Sequence, residues 1–350
     1  MTMMFNPSIT ERMTYIMRWI FTLIAIFQIS NSYADAVTRI VDVGPGFCAI
    51  TVIDDKHYFL FDAGHWRGGQ CYDALSDMVQ SNTIELMVLS HSDSDHLGDA
   101  GKILNNYSVK TIVRTGMLRS TKTWERMDRA VKEEVDYGAK EYNLQEFELI
   151  PGKLNFSLGD ARISILYGKG DWTGLSMSEN RNAVSIVAKL SYSGHSILFT
   201  GDTIGRRLDD PADACKDAES AMVDLHNADE ISLKSDVIIA SHHGGNNGSS
   251  SCFINAVSPE FVVFPAGHDH GHPAFDTYTR YINAGVDKNK IYRTDLNDAE
   301  DDTDRDWEDE SLTNCIDVAG DDDIEITMMR TGISVSYRTD GVDSECKTIQ

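Results

Sequence analysis

The chain has 350 residues, with 31 basic and 55 acidic residues and a formal net charge of −24. Hydrophobic residues make up 41% of it, enough for a sizeable core in one large domain or two ordinary ones. The charge balance excludes an overall basic surface of the kind duplex nucleic acid normally requires; it bears on partners and solubility and not on fold.

Residues 1–34 stand apart. Arg12 and Arg18 introduce the apolar run from Trp19 to Ile29, and small residues follow at Ser32-Tyr33-Ala34. A basic start, a short apolar centre and an A-x-A-like end predict a secretory signal peptide. The run falls short of the roughly 20 residues of a membrane span, which leaves an uncleaved anchor as the weaker alternative. Met13 or Met17 would serve equally well as the start. Cleavage predicts a periplasmic or secreted protein with no stable membrane anchor. Residues 1–34 contain Glu11, Arg12 and Arg18, so residues 35–350 hold 54 acids and 29 bases, a net charge of −25. The cysteines are Cys48, Cys71, Cys215, Cys252, Cys315 and Cys346. An even count in an exported chain predicts disulfides, and the lack of any C-x-x-C pair argues against a thiolate metal site. Cys215 and Cys252 flank a polar stretch and are the expected bridge.

Arg39 to Gly46 opens the mature domain, and Cys48–Ile53 and His57–Gly64 follow as a hairpin around the turn Asp54-Asp55-Lys56. A helix is expected over 71–81, and the apolar run within 84–90 reads as a buried strand. Lys110–Val113 is another strand and Lys122–Tyr137 a charged helix. Phe147–Ile150, Ala161–Leu166, Ala183–Leu190, Ser196–Thr200, Ser235–Ala240 and Phe261–Phe264 are further strand candidates. Residues 205–233 and 297–310 read as polar insertions. The second of these carries nine acids against one base. Asp302, Asp304 and Asp306 alternate there as in a calcium loop, but Trp307 and Thr313 occupy the positions that need glycine and glutamate, so a solvated loop is the better reading. The pattern alone predicts the mixed α/β (α+β) class.

Directly after the strand over 84–90 comes Ser90-His91-Ser92-Asp93-Ser94-Asp95-His96-Leu97-Gly98. A tight loop at a strand end aims alternating side chains at one point. Imidazole and carboxylate together suit a catalytic divalent metal with positions left open for water. A structural metal site is the alternative, though structural zinc prefers closed, thiolate-rich sites. Gly244 to Ser251 could cradle a phosphate through backbone amides or be a flexible loop. His57, His195 and His226 read as surface histidines, His268 and His270 as a loop, and His65 as structural.

The motif H-x-D-x-D-H resembles the signature of the metallo-β-lactamase superfamily, whose commoner form is H-x-H-x-D-H. Its third-position aspartate is similar to the soluble metallohydrolase domain of the competence proteins called ComEC. Further segments carry the resemblance in order. They are Asp42-Val43-Gly44-Pro45-Gly46, Asp62-Ala63-Gly64-His65, Thr200-Gly201-Asp202, His242-His243-Gly244, Gly271-His272-Pro273 and Arg293-Thr294-Asp295. They span residues 39 to 295. Two departures from the commoner pattern stand out: Asp93 replaces a histidine, and Ser178 to Ser185 contains none.

The resemblance implies a four-layered αββα sandwich over 35–350, with metal loops along one edge. It implies two divalent metal ions, Zn2+ or Mn2+, with the harder ligands shifting preference toward manganese or magnesium. His91 and Asp93 would hold one ion, Asp95 and His96 the second, and Asp202 would bridge them. His243 would cap the cluster, with His242 as the alternative ligand or its neighbour. Asp95, Asp62 and His272 are the expected catalytic residues: Asp62 orienting a ligand histidine, His272 stabilising charge on the substrate. Asn182 and Ser185 would hydrogen-bond a phosphate. The implied activity is hydrolysis by a metal-bound hydroxide, on a phosphodiester. A nucleic acid is the sharpest version, and the net charge disfavours it. β-Lactam, lactone or other ester hydrolysis is the alternative, and a catalytically inactive metal-binding protein of the same fold is a third reading.

Overall fold

The computed structural model describes residues 35–338 apart from 171, 212, 268–270 and 296–321. The leader reading of 1–34, the acidic stretch 297–310, His268, His270, Cys315 and Cys346 lie outside the described residues.

Two sheets carry the fold. In the first, β1 (Ala36–Ile40), β2 (Ala49–Ile53) and β3 (His57–Phe61) run antiparallel in register. Asp54 and Asp55 close the β2–β3 turn with positive φ, which aspartate tolerates. A short parallel pair follows, β4 (Thr83–Ile84) with β6 (Ser108–Val109). The main sheet continues in parallel through β5 (Leu86–Leu89), β7 (Thr111–Arg114) and β8 (Lys140–Asn143). The second sheet repeats this plan. β9 (Leu154–Leu158), β10 (Ala161–Tyr167), β11 (Val187–Tyr192) and β12 (His195–Phe199) are antiparallel. β13 (Val237–Ile239), β14 (Phe261–Phe264) and β15 (Ile291–Arg293) then add in parallel. β16 (Ile324–Met329) and β17 (Gly332–Tyr337) return to the first sheet beside β1.

Side-chain alternation assembles the layers. Phe59, Phe61, Val88 and Val113 of the first sheet face Ile165, Leu190, Ile197, Phe199 and Ile239 of the second in one inter-sheet core. Tyr58, Leu60, Met87 and Ile112 point the other way, against helices α1 (Gln70–Met78), α3 (Ala100–Leu104) and α4 (Lys122–Asp136). The one-turn helix α2 (Ser94–Leu97) lies within the motif loop. On the far side Leu198, Ile238, Val262 and Phe264 pack on α6 (Asp217–Asn227), α7 (Ser251–Val257) and α8 (Phe275–Asn283). The result is a helix–sheet–sheet–helix sandwich. Among the described residues, no helix is long and apolar enough to cross a membrane.

The structure departs from the sequence expectations in four places. Phe147–Ile150 is not a strand: Asn143 O accepts from the N–H groups of Glu146 and Phe147, making a turn, and β8 and β9 on either side take the sheet positions. Ala183 ends helix α5 (Met177–Ala183), so the next strand starts only at Val187. Ser176 and Glu179 form a reciprocal capping box that starts this helix. The stretch 205–233 contains α6, whose Ala218 and Met222 belong to the outer core. The strands β8, β9 and β15 to β17 had no counterpart in the sequence reading. The expected Cys215–Cys252 bridge is present, and Cys48 pairs with Cys71.

Phe199 sits between Phe61 (5.1 Å, stacked) and Phe59 (5.7 Å, edge-on) in the inter-sheet core. Phe199→Ala is expected to cost about 3–5 kcal/mol in chemical denaturation, while Tyr137→Ala, on the exposed end of α4, stays within about 0.5 kcal/mol.

Candidate metal centre

The parallel halves of the two sheets point their C-terminal strand ends at one edge, where open α/β sheets bind ligands. Asp62 follows β3, Ser90 to His96 follow β5, Asp202 follows β12, and His242 and His243 follow β13. Pro265 follows β14 and contributes its carbonyl. Gly201 lets the two sheets' loops meet, since a Cβ there would fall 2.9 Å from the Ser90 Cβ and 3.0 Å from the Ser185 Cβ.

Asp62, fully buried and held at φ 58°, organises the first sheet's contribution. Its Oδ1 accepts the Ser90 N–H (2.6 Å), and its Oδ2 accepts the Ser90 hydroxyl (2.6 Å) and meets His96 Nδ1 (2.7 Å). A carboxylate only accepts, so His96 carries its proton on Nδ1 and turns Nε2 inward. Because the Ser90 hydroxyl donates to Asp62, it accepts from His91 Nδ1 at 3.0 Å, and His91 is fixed the same way round. The second sheet repeats the device. His243 Nδ1 donates to Pro265 O (2.7 Å), and His242 Nδ1 to Asn247 Oδ1 (2.6 Å). Both of these histidines adopt positive φ, 52° and 54°. Such outliers mark functional constraint.

Four Nε2 atoms therefore converge on Asp202. Its Oδ1 lies 3.1 Å from His96 and 3.5 Å from His243, and its Oδ2 lies 3.6 Å from His91 and 3.8 Å from His242. His96 Nε2 and His243 Nε2 are 3.1 Å apart. With both rings neutral, two lone pairs would face each other, so the contact requires positive charge, from a proton or a cation. Two donors about 2.1 Å from one ion stand about 3.0–3.4 Å apart at octahedral or tetrahedral angles, so the donor set fits a divalent metal. Asp95 completes this group, with Oδ2 at 3.6 Å from His243, and ligand atoms of Asp95, His96, Asp202 and His243 all lie within 4.8 Å of one another. His91 Nε2 is buried with no hydrogen-bond partner.

Electrostatics agree with that demand for positive charge. Burial pushes His96 down, but the carboxylates of Asp202 and Asp62 overcome it and hold the ring well above its ordinary pKa. For Asp202 burial acts upward, and the surrounding histidines, His96 foremost, outweigh it and hold the carboxylate well below its ordinary value. Asp95 is lowered in the same way, against its burial, by His243 and His96. Burial and the neighbouring His96 lower His91, which stays neutral.

The structure thus gathers His91, Asp95, His96, Asp202, His242 and His243, with Asp62 behind them. Three expectations need correction. Asp93 is not in this cluster: its Oδ1 is taken by Arg119 and Arg181. Ser185 is fully buried and its hydroxyl accepts from the Asp202 N–H at 3.1 Å, so it fixes a loop and offers nothing to a phosphate. The amides of Ser249 and Ser250 in the glycine-rich loop donate to the buried Glu219 at 2.7 Å each, so an internal carboxylate fills that cradle. Burial raises the Glu219 pKa. Asn182 does face the site, its amide 3.2 Å from His242 Nε2. The His272 ring lies 5.3 Å from that of His242. Sequence reasoning passed over Ser90, Asn247, Arg119 and Arg181. Only Ser90, wedged between a strand and the histidine motif, carried a local signal.

Comparison with known proteins agrees with this geometry. The model of the Metallo-beta-lactamase superfamily matches residues 43–268. Competence protein ComA of Neisseria gonorrhoeae is 27% identical over 271 residues, covering 76% of this chain and 32% of that protein. ComE operon protein 3 of Bacillus subtilis is 22% identical over 192 residues, covering 54% of this chain and 21% of that protein. The chain thus spans a third or less of the length of these curated relatives. Among solved structures, the metallo-beta-lactamase fold protein YhfI of Bacillus subtilis is 12% identical with a TM-score of 0.44, covering 74% of this chain and 96% of that one. Igni18, a metallo hydrolase of Ignicoccus hospitalis, is 13% identical with a TM-score of 0.42, covering 73% and 94%. With its motif loops gathered at one sheet edge and the family match spanning residues 43–268, the chain belongs to the metallo-beta-lactamase superfamily.

Proposed function

We propose that this chain is an exported, metal-dependent hydrolase of phosphodiesters. The observation that carries the reading is the convergence of four oriented imidazole Nε2 atoms on Asp202 beside Asp95. Asp95, His96, His243 and Asp202 would hold one ion, and His91 and His242, with Asp202, would hold a second. Zinc and manganese both suit this mixture of nitrogen and oxygen donors, and the added carboxylates favour manganese. Bound ions of this kind acidify a water toward neutral pH and polarise the oxygen of the scissile group.

The chain's own groups supply the rest. Asp62 and Ser90 hold the donors in one tautomer, so nothing reorganises as charge develops. Asp95 is the more exposed of the clustered acids and is held ionised by His243 and His96, so it presents a charged oxygen to a cation at the open side of the cluster. His272, at the open side by His242, would meet charge on the substrate. Export is supported by the leader pattern of residues 1–34 and by two disulfides, which persist in oxidising compartments. A phosphodiester is favoured over a β-lactam because an arginine pair, gathered on Asp93, adjoins the cluster.

Purified protein with added manganese or zinc should turn over bis(p-nitrophenyl) phosphate, and chelator or Asp95→Ala should abolish this. Turnover of a chromogenic cephalosporin alone would refute the phosphodiester reading. Asp62→Asn keeps the size but ends the acceptor-only contact with His96 and Ser90, and should weaken metal affinity about 10–100-fold by metal titration.

Proton linkage gives a third expectation. The folded-state pKa of His96 is raised, so its protonated form stabilises the metal-free protein below the ordinary imidazole range. That contribution is lost as pH rises through the raised value. A metal must displace this proton, so apparent affinity should fall about tenfold per pH unit for each proton displaced as the solution is acidified. Calorimetry in two buffers of different ionisation heat would show proton release; equal heats would contradict it.

A further inference from the structure

The aspartate that replaces the usual histidine at position 93 brings two arginines with it. Arg119 Nη1 contacts Asp93 Oδ1, and Arg181 Nε donates to the same oxygen at 2.7 Å. The two arginines come from different sheets. Arg119 lies on the loop after β7, while Arg181 lies on α5 and is steadied by Met177 O and Ser178 Oγ, each at 3.1 Å. Asp93, which gathers them, adjoins the metal centre. Asp93 O accepts the His96 N–H at 3.2 Å, the Asp93 charge acts on His91, and Arg181 adjoins Asn182, whose amide meets His242.

A histidine could not organise this group. With Nε2 turned to a metal, its Nδ1–H would confront the guanidinium N–H groups, donor against donor. A carboxylate only accepts, so one oxygen of Asp93 can meet both guanidiniums. Two guanidiniums against one carboxylate leave a local excess of positive charge in a chain whose net charge is −24. A guanidinium fork matches the geometry of phosphate oxygens and cannot be deprotonated in a protein.

We propose that Arg119 and Arg181, gathered by Asp93, form the subsite that binds the non-bridging oxygens of an anionic phosphoryl substrate. The inference rests on the phosphodiester reading and deepens it. The aspartate motif is then a specificity device, pairing the metal loop with an arginine clamp.

The test uses manganese-loaded wild-type protein, R119Q/R181Q and R119K/R181K. Inorganic phosphate is titrated by calorimetry, metal content is measured, and KM and kcat are determined on bis(p-nitrophenyl) phosphate. The glutamine variant should keep its metal, while its phosphate Kd and diester KM rise about tenfold or more and kcat falls less. The lysine variant should recover part of the phosphate affinity, because the charge survives without the fork. Phosphate affinity within about twofold of wild type at full metal content would overturn the proposal and leave the arginines as mere neutralisers of Asp93. Loss of metal from both variants would also overturn it, making the pair a support for the metal loop. If R119Q/R181Q does not fold, the single variants R119Q and R181Q carry the same comparison. A wild type that binds phosphate through the arginines yet leaves the diester intact would sink the functional reading alone.

Discussion

The structure depends on one electrostatic constraint: four imidazole lone pairs and two carboxylates share a buried space at the edge of two sheets. Such an arrangement cannot stand without positive charge, from a proton or a cation, and it explains the choice of the groups behind it. Asp62, Ser90, Asn247 and the Pro265 carbonyl each accept an imidazole N–H, and each thereby turns a nitrogen toward Asp202. The backbone bends to the same end, with Asp62, His242 and His243 in the left-handed region that side chains usually avoid.

The outer layers serve this edge more than their composition suggests. Glu219 on α6 takes two amides of the loop that follows His243, and Arg280 on α8 donates to Ser249 O (2.9 Å), Gly248 O (2.9 Å) and Asn246 Oδ1 (2.8 Å) of that loop. Arg206 adds a bond to Asn246 Oδ1 at 2.6 Å. Cys215–Cys252 ties the segment after Asp202 to the start of α7. What reads in sequence as a polar insertion and a glycine-rich loop is a single buried polar network behind the histidines.

Much of this was legible in the sequence, for identifiable reasons. Strands such as Phe261–Phe264 announce themselves by unbroken apolar runs, and the motif residues sit at strand ends where the family resemblance places them. The superfamily, the mixed α/β class and the layered sandwich followed from those. The partners of Asp93 did not. Arg119 and Arg181 are 26 and 88 positions away from it, with no local pattern to join them. Ser185 misled for a related reason: a hydroxyl near a motif reads as a ligand contact until burial shows it facing a backbone amide. Phe147–Ile150 has the composition of a strand but lies at the Asn143 turn, where hydrogen-bond geometry and not hydrophobicity decides.

His96 and His243 are 147 residues apart, yet their nitrogens meet at 3.1 Å. For an unfolded chain, an ion joining them would close a loop of that length, at an entropic cost of about 4 kcal/mol. Here the sheets meet that cost, through an inter-sheet core in which no metal ligand takes part. The ion is therefore a guest of a finished scaffold, unlike the metal of a small finger domain whose folding energy is its binding energy. Such a scaffold can fold first and take its metal afterwards from whatever its surroundings supply.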